Sequence, residues 1–351
     1  MTMTRPGINP HLEQLEPYVP GEQPKGRKFI KLNTNEFPYP PSPRVIEMLR
    51  ALPDDKARKY PDPVCGELRA AIGERFGFAP EQIIAGNGSD ELLRMICHAF
   101  AQAGDTIGML NPTYSLYPVL GAMYGLKSRG FAVDFDGRPQ EELDLAGIAI
   151  FFFANPNPPY GSLYEPQFVA ELVRKHPATL FVVDEAYVEF ADWDCLALAR
   201  EFENVMVTRT FSKSHSLAGM RVGFALGAEW LIDVLNRIRD SYNVNAASQA
   251  AALAAWQDRE YYDERVLRVK QSRVRIRGEL ARLGWQVERS FGNFLFARCD
   301  NAPLVYEQLR ERGILVRYFK QPPLDGGLRI SIGSEEETDA LLKACAEIAQ
   351  E

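Results

Sequence analysis

One lysine of the chain stands in a context suited to covalent chemistry. Lys213 lies in the segment Thr210–Phe224, which follows a short apolar run and is rich in serine and glycine. A lysine amine in such a loop can form a Schiff base, and its hydroxyl-bearing neighbours suit a phosphate group bound beside it. Arg221, eight residues further on, has the charge and planar geometry to pair with that phosphate. For an isolated lysine, an exposed surface position would be the ordinary interpretation.

Three further side chains suit contacts with a nitrogen-containing aromatic ring. Asp184 follows the apolar run Leu180–Val183. A carboxylate there either caps a helix or holds a proton on a pyridinium nitrogen, which makes the ring withdraw electrons from a carbanion. Tyr187, three residues later, either reaches the phenolic oxygen of such a ring or is an ordinary aromatic residue at a helix start. Tyr114 follows Asn-Pro-Thr at another strand end and either stacks on the ring or packs in the core.

A glycine-rich segment suits an anion. Gly86–Glu91 reads Gly-Asn-Gly-Ser-Asp-Glu and precedes the helical run Leu92–Ala103. Free backbone N–H groups at a helix start, with Ser89 and Asp90 beside them, form a cradle for a phosphate. The same letters also fit a plain helix cap, so the segment supports a phosphate site only together with Lys213.

Alternating helices and strands position these residues. Continuous apolar runs between helical runs predict strands buried on both faces, and therefore an α/β fold with a mostly parallel sheet. Polar residues follow each strand, and ligands bind beyond the carboxyl ends of strands in such sheets. The predicted strands are Thr106–Leu110, Ile148–Ala154, Thr179–Val183 and Asn204–Thr208. The predicted helices are Pro43–Leu52, Gly66–Phe76, Asp90–Ala103 and Tyr114–Tyr124.

Three segments are expected along the chain. Residues 1–41 form an N-terminal arm rich in proline, glycine and charge, and residues 42–244 form a large domain. Residues 245–351 form a smaller α+β domain, with a long linking helix over Arg259–Leu283. The predicted strands of this domain, before a terminal helix, are Asn293–Ala297, Ile314–Tyr318 and Leu328–Ile332.

Composition and charge argue against several classes of function. The formal net charge of −7 argues against nucleic acid or an anionic membrane as the main partner. The apolar runs are of strand length, and the N-terminus lacks the apolar region of a signal peptide, so neither a membrane span nor secretion is expected. Five scattered cysteines without a Cys-x-x-Cys pair suit a cytoplasmic protein. Four histidines without metal-ligand spacing indicate no metal site.

Several motifs, collinear over nearly the whole chain, resemble those of one enzyme family. The sequence resembles the fold-type-I pyridoxal-phosphate aminotransferases of classes I and II, and among them most closely the histidinol-phosphate aminotransferase family. Each motif alone is weak, and together they are specific. The motifs are Asn33–Glu36, Tyr60–Asp62, Gly86–Glu91, Asn155–Asn157, Asp184–Phe190, Arg209–Lys213, Leu217–Arg221 and Leu328–Ser331.

The resemblance implies pyridoxal 5'-phosphate as the cofactor and a role for most of these motifs, with none assigned to Asn33–Glu36. Lys213 would hold the cofactor as a Schiff base and move protons, with Asp184 at the ring nitrogen and Tyr187 at the phenolic oxygen as the other catalytic residues. Tyr60 would reach the cofactor phosphate of a partner subunit, which implies a homodimer with shared active sites. The remaining cofactor contacts would be Ser89 and Asp90 at the phosphate cradle, Tyr114 on the ring, Asn157 at the phenolic oxygen, and Thr210, Ser212 and Arg221 at the phosphate.

The sequence departs from the family at one motif. The family often reads Pro-Asn-Asn-Pro-Thr-Gly where this chain reads Pro-Asn-Pro-Pro-Tyr-Gly over Pro156–Gly161. Pro158 replaces the second asparagine and Tyr160 replaces the threonine. Asn157 is the residue left to contact the ring.

Two arginines and a tyrosine match the substrate contacts of the family. Arg329 resembles the arginine that binds a substrate carboxylate in most aminotransferases, and Arg317, at the end of Gly313–Arg317, resembles one that joins it on a phosphate. Tyr18 resembles an N-terminal tyrosine that closes over the substrate. This set suits a dianion better than a carboxylate. The alternative for Arg317 is an ordinary surface arginine on an edge strand.

The expected reaction moves an amino group between L-histidinol phosphate and 2-oxoglutarate, which becomes glutamate, in histidine biosynthesis. Two rivals on the same fold stay open, an aromatic amino-acid aminotransferase and an enzyme like threonine-phosphate decarboxylase. A third rival is a non-enzymatic regulator that binds the cofactor. Such a regulator normally carries a DNA-binding domain, for which this chain leaves no room.

Overall fold

Thirteen strands and eleven helices make up the part of the chain that the computed structural model describes, residues 7–13, 15, 21–23 and 28–351. The strands are β1 (Ile30–Lys31), β2 (Ile83–Gly86), β3 (Thr106–Asn111), β4 (Lys127–Ala132), β5 (Ile148–Ala154), β6 (Leu180–Asp184), β7 (Val205–Thr210), β8 (Gly223–Gly227), β9 (Gln286–Val287), β10 (Phe294–Arg298), β11 (Ile314–Leu315), β12 (Arg317–Tyr318) and β13 (Gly327–Ser331). The helices are α1 (Pro43–Arg50), α2 (Gly66–Phe76), α3 (Ser89–Phe100), α4 (Leu116–Met123), α5 (Pro166–Lys175), α6 (Leu198–Glu201), α7 (Glu229–Ile238), α8 (Ala246–Gln257), α9 (Arg259–Arg282), α10 (Ala302–Glu311) and α11 (Glu335–Ile348).

A seven-stranded sheet places the four predicted strands of the large domain side by side. Its order is β2-β8-β7-β6-β5-β3-β4. The strands β3 to β7 run parallel to their neighbours among themselves, while β8 runs antiparallel to β2 and β7. This arrangement confirms the predicted α/β fold with a mostly parallel sheet.

Apolar residues on β5 show why this sheet is covered on both faces. Phe151 and Phe153 belong to one hydrophobic cluster, and Ile150 and Phe152 belong to another, all with no exposed surface. Successive side chains of a strand point to opposite faces of its sheet, so the two clusters lie on the two faces. Helices α1, α2, α5 and α8 contribute to the first cluster, and α3, α4 and α7 contribute to the second.

A four-stranded antiparallel sheet carries the late arginines of the sequence. Its order is β12-β13-β10-β9. Helix α9 ties it to the larger sheet, because Arg273 Nη1 donates to Phe190 O after β6 and to Gly292 O before β10, at 3.1 and 2.7 Å. Although α9 spans 24 residues, it is strongly charged, and no described helix combines the length and apolar composition of a bilayer span.

The prediction of one strand over Ile314–Tyr318 is wrong, because the segment changes partner at Val316. Its first half, β11, pairs in parallel with β1 of the N-terminal arm. Its second half, β12, pairs with β13 in the four-stranded sheet. An apolar run shows that a segment is buried but not which strand it pairs with, so the sequence did not reveal the break.

A buried ion pair holds the loop after β6 against β7. Arg209 on β7 is 5 % exposed, and its Nε donates to Glu185 Oε2 at 2.9 Å. Glu185 is 1 % exposed and also accepts from the backbone N–H of Cys195. Arg209 Nη2 donates in addition to Asp194 Oδ2 at 2.9 Å. Burial of these charges is tolerated because each is paired and hydrogen-bonded.

Replacing Arg209 by methionine should destabilise the protein, because it leaves the Glu185 carboxylate buried without its cation. We expect a loss of about 3–5 kcal/mol in the free energy of unfolding, measured by urea denaturation followed by fluorescence. Arg50→Met, at an exposed position on α1, is the control and should change little. The double variant Arg209→Met/Glu185→Leu should be more stable than Arg209→Met. Equal stability of Arg209→Met and the wild type would show that the pair contributes nothing.

Candidate active site

The carboxyl ends of neighbouring parallel strands bring the predicted site residues to one edge of the large sheet. In the register of β5, β6 and β7, Ala154 pairs with Asp184, and Asp184 pairs with Thr208. Asn157 follows β5, Asp184 ends β6, and Lys213 follows β7. This is the edge at which open α/β sheets bind their ligands.

Asp184 is a buried carboxylate with hydrogen-bond donors on both oxygens. The residue is 4 % exposed, and its Oδ2 accepts from Tyr117 Oη at 2.7 Å. Its Oδ1 accepts from the backbone N–H of Ala186 at 3.2 Å. Burial raises the pKa of Asp184 to about 6, and the hydrogen bond from Tyr117 opposes that rise. A buried acid of this kind is stabilised in its charged form by a cationic partner, which a protonated ring nitrogen would supply.

An arginine, two hydroxyls and the start of α3 form an anion cradle. Arg221 Nη1 donates to Ser212 Oγ at 3.1 Å, and Thr210 Oγ1 donates to the same Ser212 Oγ at 2.9 Å. Arg221 also lies against the start of α3 at Ser89, because a Cβ added to Gly88 would lie 2.5 Å from Arg221 Nη2. A guanidinium, hydroxyls and the N–H groups of a helix start together suit a phosphate.

Asp90 orients the cradle and connects it to the residues around Asp184. Its Oδ2 accepts from Arg221 Nη2, and its Oδ1 accepts from Tyr114 Oη, both at 3.2 Å. The ring of Tyr114 meets the ring of Tyr117 edge to face, with centroids 5.6 Å apart. Tyr114 therefore lies between the anion cradle and the buried carboxylate.

The arm segment Asn33–Glu36 lies across the site beside Lys213. Lys213 Nζ donates to Thr34 O at 3.4 Å and lies 5.5 Å from the centre of the Tyr187 ring. Tyr187 Oη accepts from Asn35 Nδ2 at 3.1 Å. The structure thus brings Lys213 and Tyr187 together and places the arm against both.

Asn35 contributes to the site although its type and spacing did not indicate a role. It is 1 % exposed and adopts a left-handed backbone with φ of 55°, which asparagine tolerates better than most residues. Its N–H donates to Ser331 Oγ at 2.8 Å, and its Oδ1 accepts from the same hydroxyl at 2.9 Å. Its carbonyl accepts from Asn293 Nδ2 at 3.0 Å. Asn35 therefore joins Tyr187 to the four-stranded sheet.

Tyr117 is a second residue that the sequence did not single out. It lies inside the predicted helix Tyr114–Tyr124, where an aromatic residue on an apolar face indicates core packing. Its partner Asp184 is 67 residues away along the chain, so no local pattern reveals the hydrogen bond between them.

Asn157 is buried beside the loop that follows β3. Its Nδ2 donates to Pro112 O at 2.9 Å, and its Oδ1 accepts from Thr113 Oγ1. The amide carries a second N–H, which suits the ring contact that the resemblance implies. Tyr160, where the chain departs from the family motif, packs edge to face on Phe296 of β10 with ring centroids 5.3 Å apart. That departure therefore contributes packing between the two sheets.

Arg317 and Arg329 occupy directly opposite positions on β12 and β13. Their guanidinium carbons lie 5.4 and 5.7 Å from the ring centre of Phe319, so both side chains lie against the same aromatic ring. Arg329 Nη2 also donates to Asn33 O at 2.8 Å. This bond ties β13 to the arm segment that contacts Lys213.

Two predicted site residues lie apart from this group. Tyr18 lies outside the described residues. Tyr60 is 80 % exposed and stacks on Tyr242, with ring centroids 4.3 Å apart, so its ring lies at the surface of this chain. As for metals, the described part of the chain holds no group of three or more histidine, cysteine, aspartate or glutamate residues arranged as ligands.

Comparison with known proteins finds relatives over the whole of this arrangement. Residues 27–345 match the family Aminotransferase class I and II. The chain is 43% identical over 344 residues to a histidinol-phosphate aminotransferase of Citrifermentans bemidjiense, which covers 97% of this chain and 98% of that protein. It is 44% identical over 341 residues to one of Syntrophotalea carbinolica, which covers 96% and 98%. The crystal structure of the Sinorhizobium meliloti histidinol-phosphate aminotransferase in complex with pyridoxal-5'-phosphate is similar with a TM-score of 0.88 and 28% identity, over 100% of this chain and 99% of that one.

Proposed function

The chain belongs to the class I and II aminotransferase family and, within it, to the histidinol-phosphate aminotransferases, and we propose that it transfers an amino group between L-histidinol phosphate and 2-oxoglutarate. Its cofactor is pyridoxal 5'-phosphate, glutamate is the other amino compound, and the reaction is a step of histidine biosynthesis. The observation that carries the substrate assignment is the pair of opposed arginines, Arg317 and Arg329.

The residues of the site fit both ends of this cofactor. Arg221, Ser212 and Thr210 at the start of α3 suit its phosphate. The buried carboxylate of Asp184 suits its ring nitrogen when that nitrogen carries a proton. The ring of Tyr114 lies between these two ends, where it can stack on the cofactor ring.

Polar atoms without partners also support a ligand beside the arm segment. Among the described residues, Asn33 Oδ1, Thr34 Oγ1 and Asn293 Oδ1 are buried and have no hydrogen-bond partner. Thr34 accepts from Lys213 through its carbonyl, and Asn293 donates to the carbonyl of Asn35, so these atoms belong to the arm segment that contacts Lys213 or to a residue bonded to that segment. Buried polar atoms are ordinarily hydrogen-bonded, and a bound polar substrate or water would complete them.

Each catalytic side chain has a separate task. Bound pyridoxal phosphate supplies a ring that withdraws electrons from the substrate carbon. Lys213 Nζ holds the cofactor and carries the proton to and from that carbon. Asp184 keeps a negative charge at the ring nitrogen. Tyr187 accepts a hydrogen bond from Asn35, which leaves its own O–H to donate to the phenolic oxygen.

Opposed arginines suit a substrate phosphate. Residues directly opposite on an antiparallel pair have Cβ atoms about 4.5–5.5 Å apart, so the two arginine side chains start close enough together to bind one anion jointly. A phosphate dianion accepts hydrogen bonds from two such groups, whereas the fork of one arginine satisfies a carboxylate. Arg329, which is fixed by its bond to Asn33 O, is placed to bind the carboxylate of glutamate as well.

A homodimer with shared active sites is the second part of the proposal. Tyr60 and Tyr242 are 80 % and 44 % exposed, and Val64, which follows Tyr60 closely in the chain, is 42 % exposed. An exposed aromatic patch of this kind suits burial against another protein surface. A second copy of the chain would cover it and place Tyr60 at the phosphate cradle of its partner.

The thiols of the chain suit a reducing compartment. All five cysteines are free, and four of them are buried. Free thiols persist where disulfides are kept reduced. We therefore place the enzyme in the cytoplasm.

Lys213→Ala should remove the covalent attachment of the cofactor. The wild-type enzyme should be yellow, and borohydride should fix the cofactor on Lys213, because the lysine forms a reducible bond to it. Absorbance and mass spectrometry of peptides after reduction measure both effects. Lys127→Ala, at an exposed position on β4, is the control and should keep the colour. A full yield of reduced lysine adduct in Lys213→Ala would show that another lysine holds the cofactor.

Arg317→Ala should reduce selectivity for the phosphate substrate. Loss of one charged hydrogen-bonding partner costs about 1.5–3 kcal/mol, a roughly tenfold to more than hundredfold drop in kcat/KM for histidinol phosphate. The drop for a neutral aromatic amine should be much smaller. The half-reaction with glutamate should partly survive, because Arg329 remains, whereas Arg329→Ala should impair both half-reactions. Steady-state kinetics with these donors side by side measure the difference.

Arg298→Ala is the matched control for Arg317→Ala, since Arg298 is also an arginine of the four-stranded sheet that lies over an aromatic ring, at 4.3 Å from the centre of Phe135. It should change no donor preference. If Arg317→Ala instead impairs aromatic amino acids and histidinol phosphate equally, Arg317 does not recognise the phosphate. The enzyme would then be assigned to aromatic amino acids.

Mixing two inactive variants should restore activity if the sites are shared. In a heterodimer of Tyr60→Ala and Lys213→Ala subunits, one site carries both intact residues, so random exchange should give about a quarter of the wild-type activity. Mixing Asp184→Ala with Lys213→Ala is the control and should restore none, because both residues act in the same subunit. No recovery for the first pair, after subunit exchange has been confirmed, would contradict shared sites.

A further inference from the structure

We propose that Tyr117 is a positioning residue that keeps the negative charge of Asp184 in place, so that the proton at the cofactor's ring nitrogen stays on the ring. The inference rests on the proposed function and adds a residue to it. Tyr117 lies on α4 with no exposed surface, and its Oη donates to Asp184 Oδ2 at 2.7 Å.

Aromatic packing fixes the position of this hydroxyl. The ring of Tyr117 stacks on Phe152 of β5, with centroids 4.9 Å apart and planes inclined by 12°. The ring of Tyr114 meets it edge to face, with centroids 5.6 Å apart and planes inclined by 85°. Tyr117 cannot turn away from Asp184 without losing both contacts, so the hydrogen bond is held by the core.

The proton of this hydrogen bond belongs to the tyrosine. Burial and the charge of Asp184 hold the pKa of Tyr117 well above its usual value. Burial raises the pKa of Asp184 to about 6, and the hydrogen bond from Tyr117 acts against that rise. Tyr117 is therefore the donor at neutral pH and stabilises the charged form of the carboxylate.

Other groups around the pair do not replace this donor. Thr208 on β7 also acts to lower the pKa of Asp184, but its Oγ1 makes no hydrogen bond within the described residues, so it does not replace the donor. The charge of Asp90 on α3 raises the pKa of Asp184, and Asp90 is itself paired with Arg221 at 3.2 Å. Of the hydrogen bonds to Asp184 in the described residues, the one from Tyr117 is shorter than the one from the Ala186 backbone, which measures 3.2 Å. The further titratable groups that face Tyr117 are Tyr114 and Tyr187, whose hydroxyls bond to Asp90 and Asn35.

Removal of the Tyr117 hydroxyl makes Asp184 a stronger base. The proton shared between the carboxylate and the ring nitrogen then moves toward the carboxylate, because a buried site favours the neutral pair over the ion pair. A ring without its proton withdraws electrons less strongly, which slows proton removal from the substrate carbon. The loss should therefore be in kcat and not in KM, since Tyr117 lies behind Asp184 and not at the arginines that bind the substrate.

Tyr117→Phe tests the inference, because it removes the hydroxyl and keeps the ring that stacks on Phe152. The readout is the ¹⁵N NMR signal of the holoenzyme loaded with pyridoxal phosphate labelled at its ring nitrogen. At neutral pH the wild-type signal should be that of a protonated pyridinium, and the Tyr117→Phe signal should move toward unprotonated pyridine. The kcat should fall by roughly tenfold to hundredfold, and the acid limb of the pH profile of kcat should move to higher pH by about one to two units.

Two further variants separate this effect from a general loss of packing. Tyr164→Phe removes a buried hydroxyl that donates to Gly137 O, away from Asp184, and should leave the ring-nitrogen signal unchanged. In an Asp184→Asn background, Tyr117→Phe should cause no further loss of kcat, because its effect acts through the carboxylate. Replacing Tyr117 with 3-fluorotyrosine makes its hydroxyl a stronger hydrogen-bond donor while nearly keeping the shape of the side chain. The proton should then stay more firmly on the cofactor's ring nitrogen. This variant tests the inference if Tyr117→Phe does not fold.

The inference is overturned if Tyr117→Phe keeps the wild-type ring-nitrogen signal. It is also overturned if this variant has a lower thermal stability but unchanged kcat and ring-nitrogen signal. Independent losses of kcat for Tyr117→Phe and Asp184→Asn would overturn it too. A wild-type protein that binds no pyridoxal phosphate, or that transfers no amino group, would contradict the proposed function instead. The two failures are therefore distinguishable in the same set of measurements.

Discussion

A negative charge kept out of water at the end of β6 is the constraint on which the site depends. Asp184 is 4 % exposed, and a carboxylate in that position needs donors or a cation to remain charged. Tyr117 is one such donor, and Phe152 of β5 holds its ring. The apolar packing that makes the sheet a core element therefore also sets the electrostatics at its edge.

The arm segment Asn33–Glu36 couples this edge to the four-stranded sheet. Its backbone carbonyls accept from Lys213 and from Arg329, while the side chain of Asn35 donates to Tyr187. One short stretch thus contacts the amine, the ring-side phenol and a substrate arginine of the proposed mechanism. Because Asn35 also bonds to Ser331 on β13, this stretch links the smaller sheet to Tyr187 by hydrogen bonds.

The strands and helices could be predicted where a short window of sequence shows by itself which residues are buried. The predicted strand Ile148–Ala154 and the predicted helix Gly66–Phe76 are confirmed residue for residue, since a continuous apolar run and a helical period are both visible in a short window. The short strand β8 was missed because its few apolar residues lie between glycines and begin at the end of the segment Thr210–Phe224, which was interpreted as a loop. At the site, the positions of Asp184 and Lys213 after predicted strands identified them as candidate site residues. Contacts such as that between Asn35 and Ser331, 296 residues apart, follow from tertiary packing, which no local pattern records.

The proposed reaction requires one site to accept two anions of different charge in alternation. Arg329 donates to Asn33 O and lies against the rings of Phe294 and Phe319. Arg317 stands opposite on β12 and lies against the same Phe319. A carboxylate is satisfied by one guanidinium fork, whereas a phosphate has the charge and the oxygens to engage both. In the proposed reaction, selection between the two substrates would therefore come from the number of arginines that each one engages.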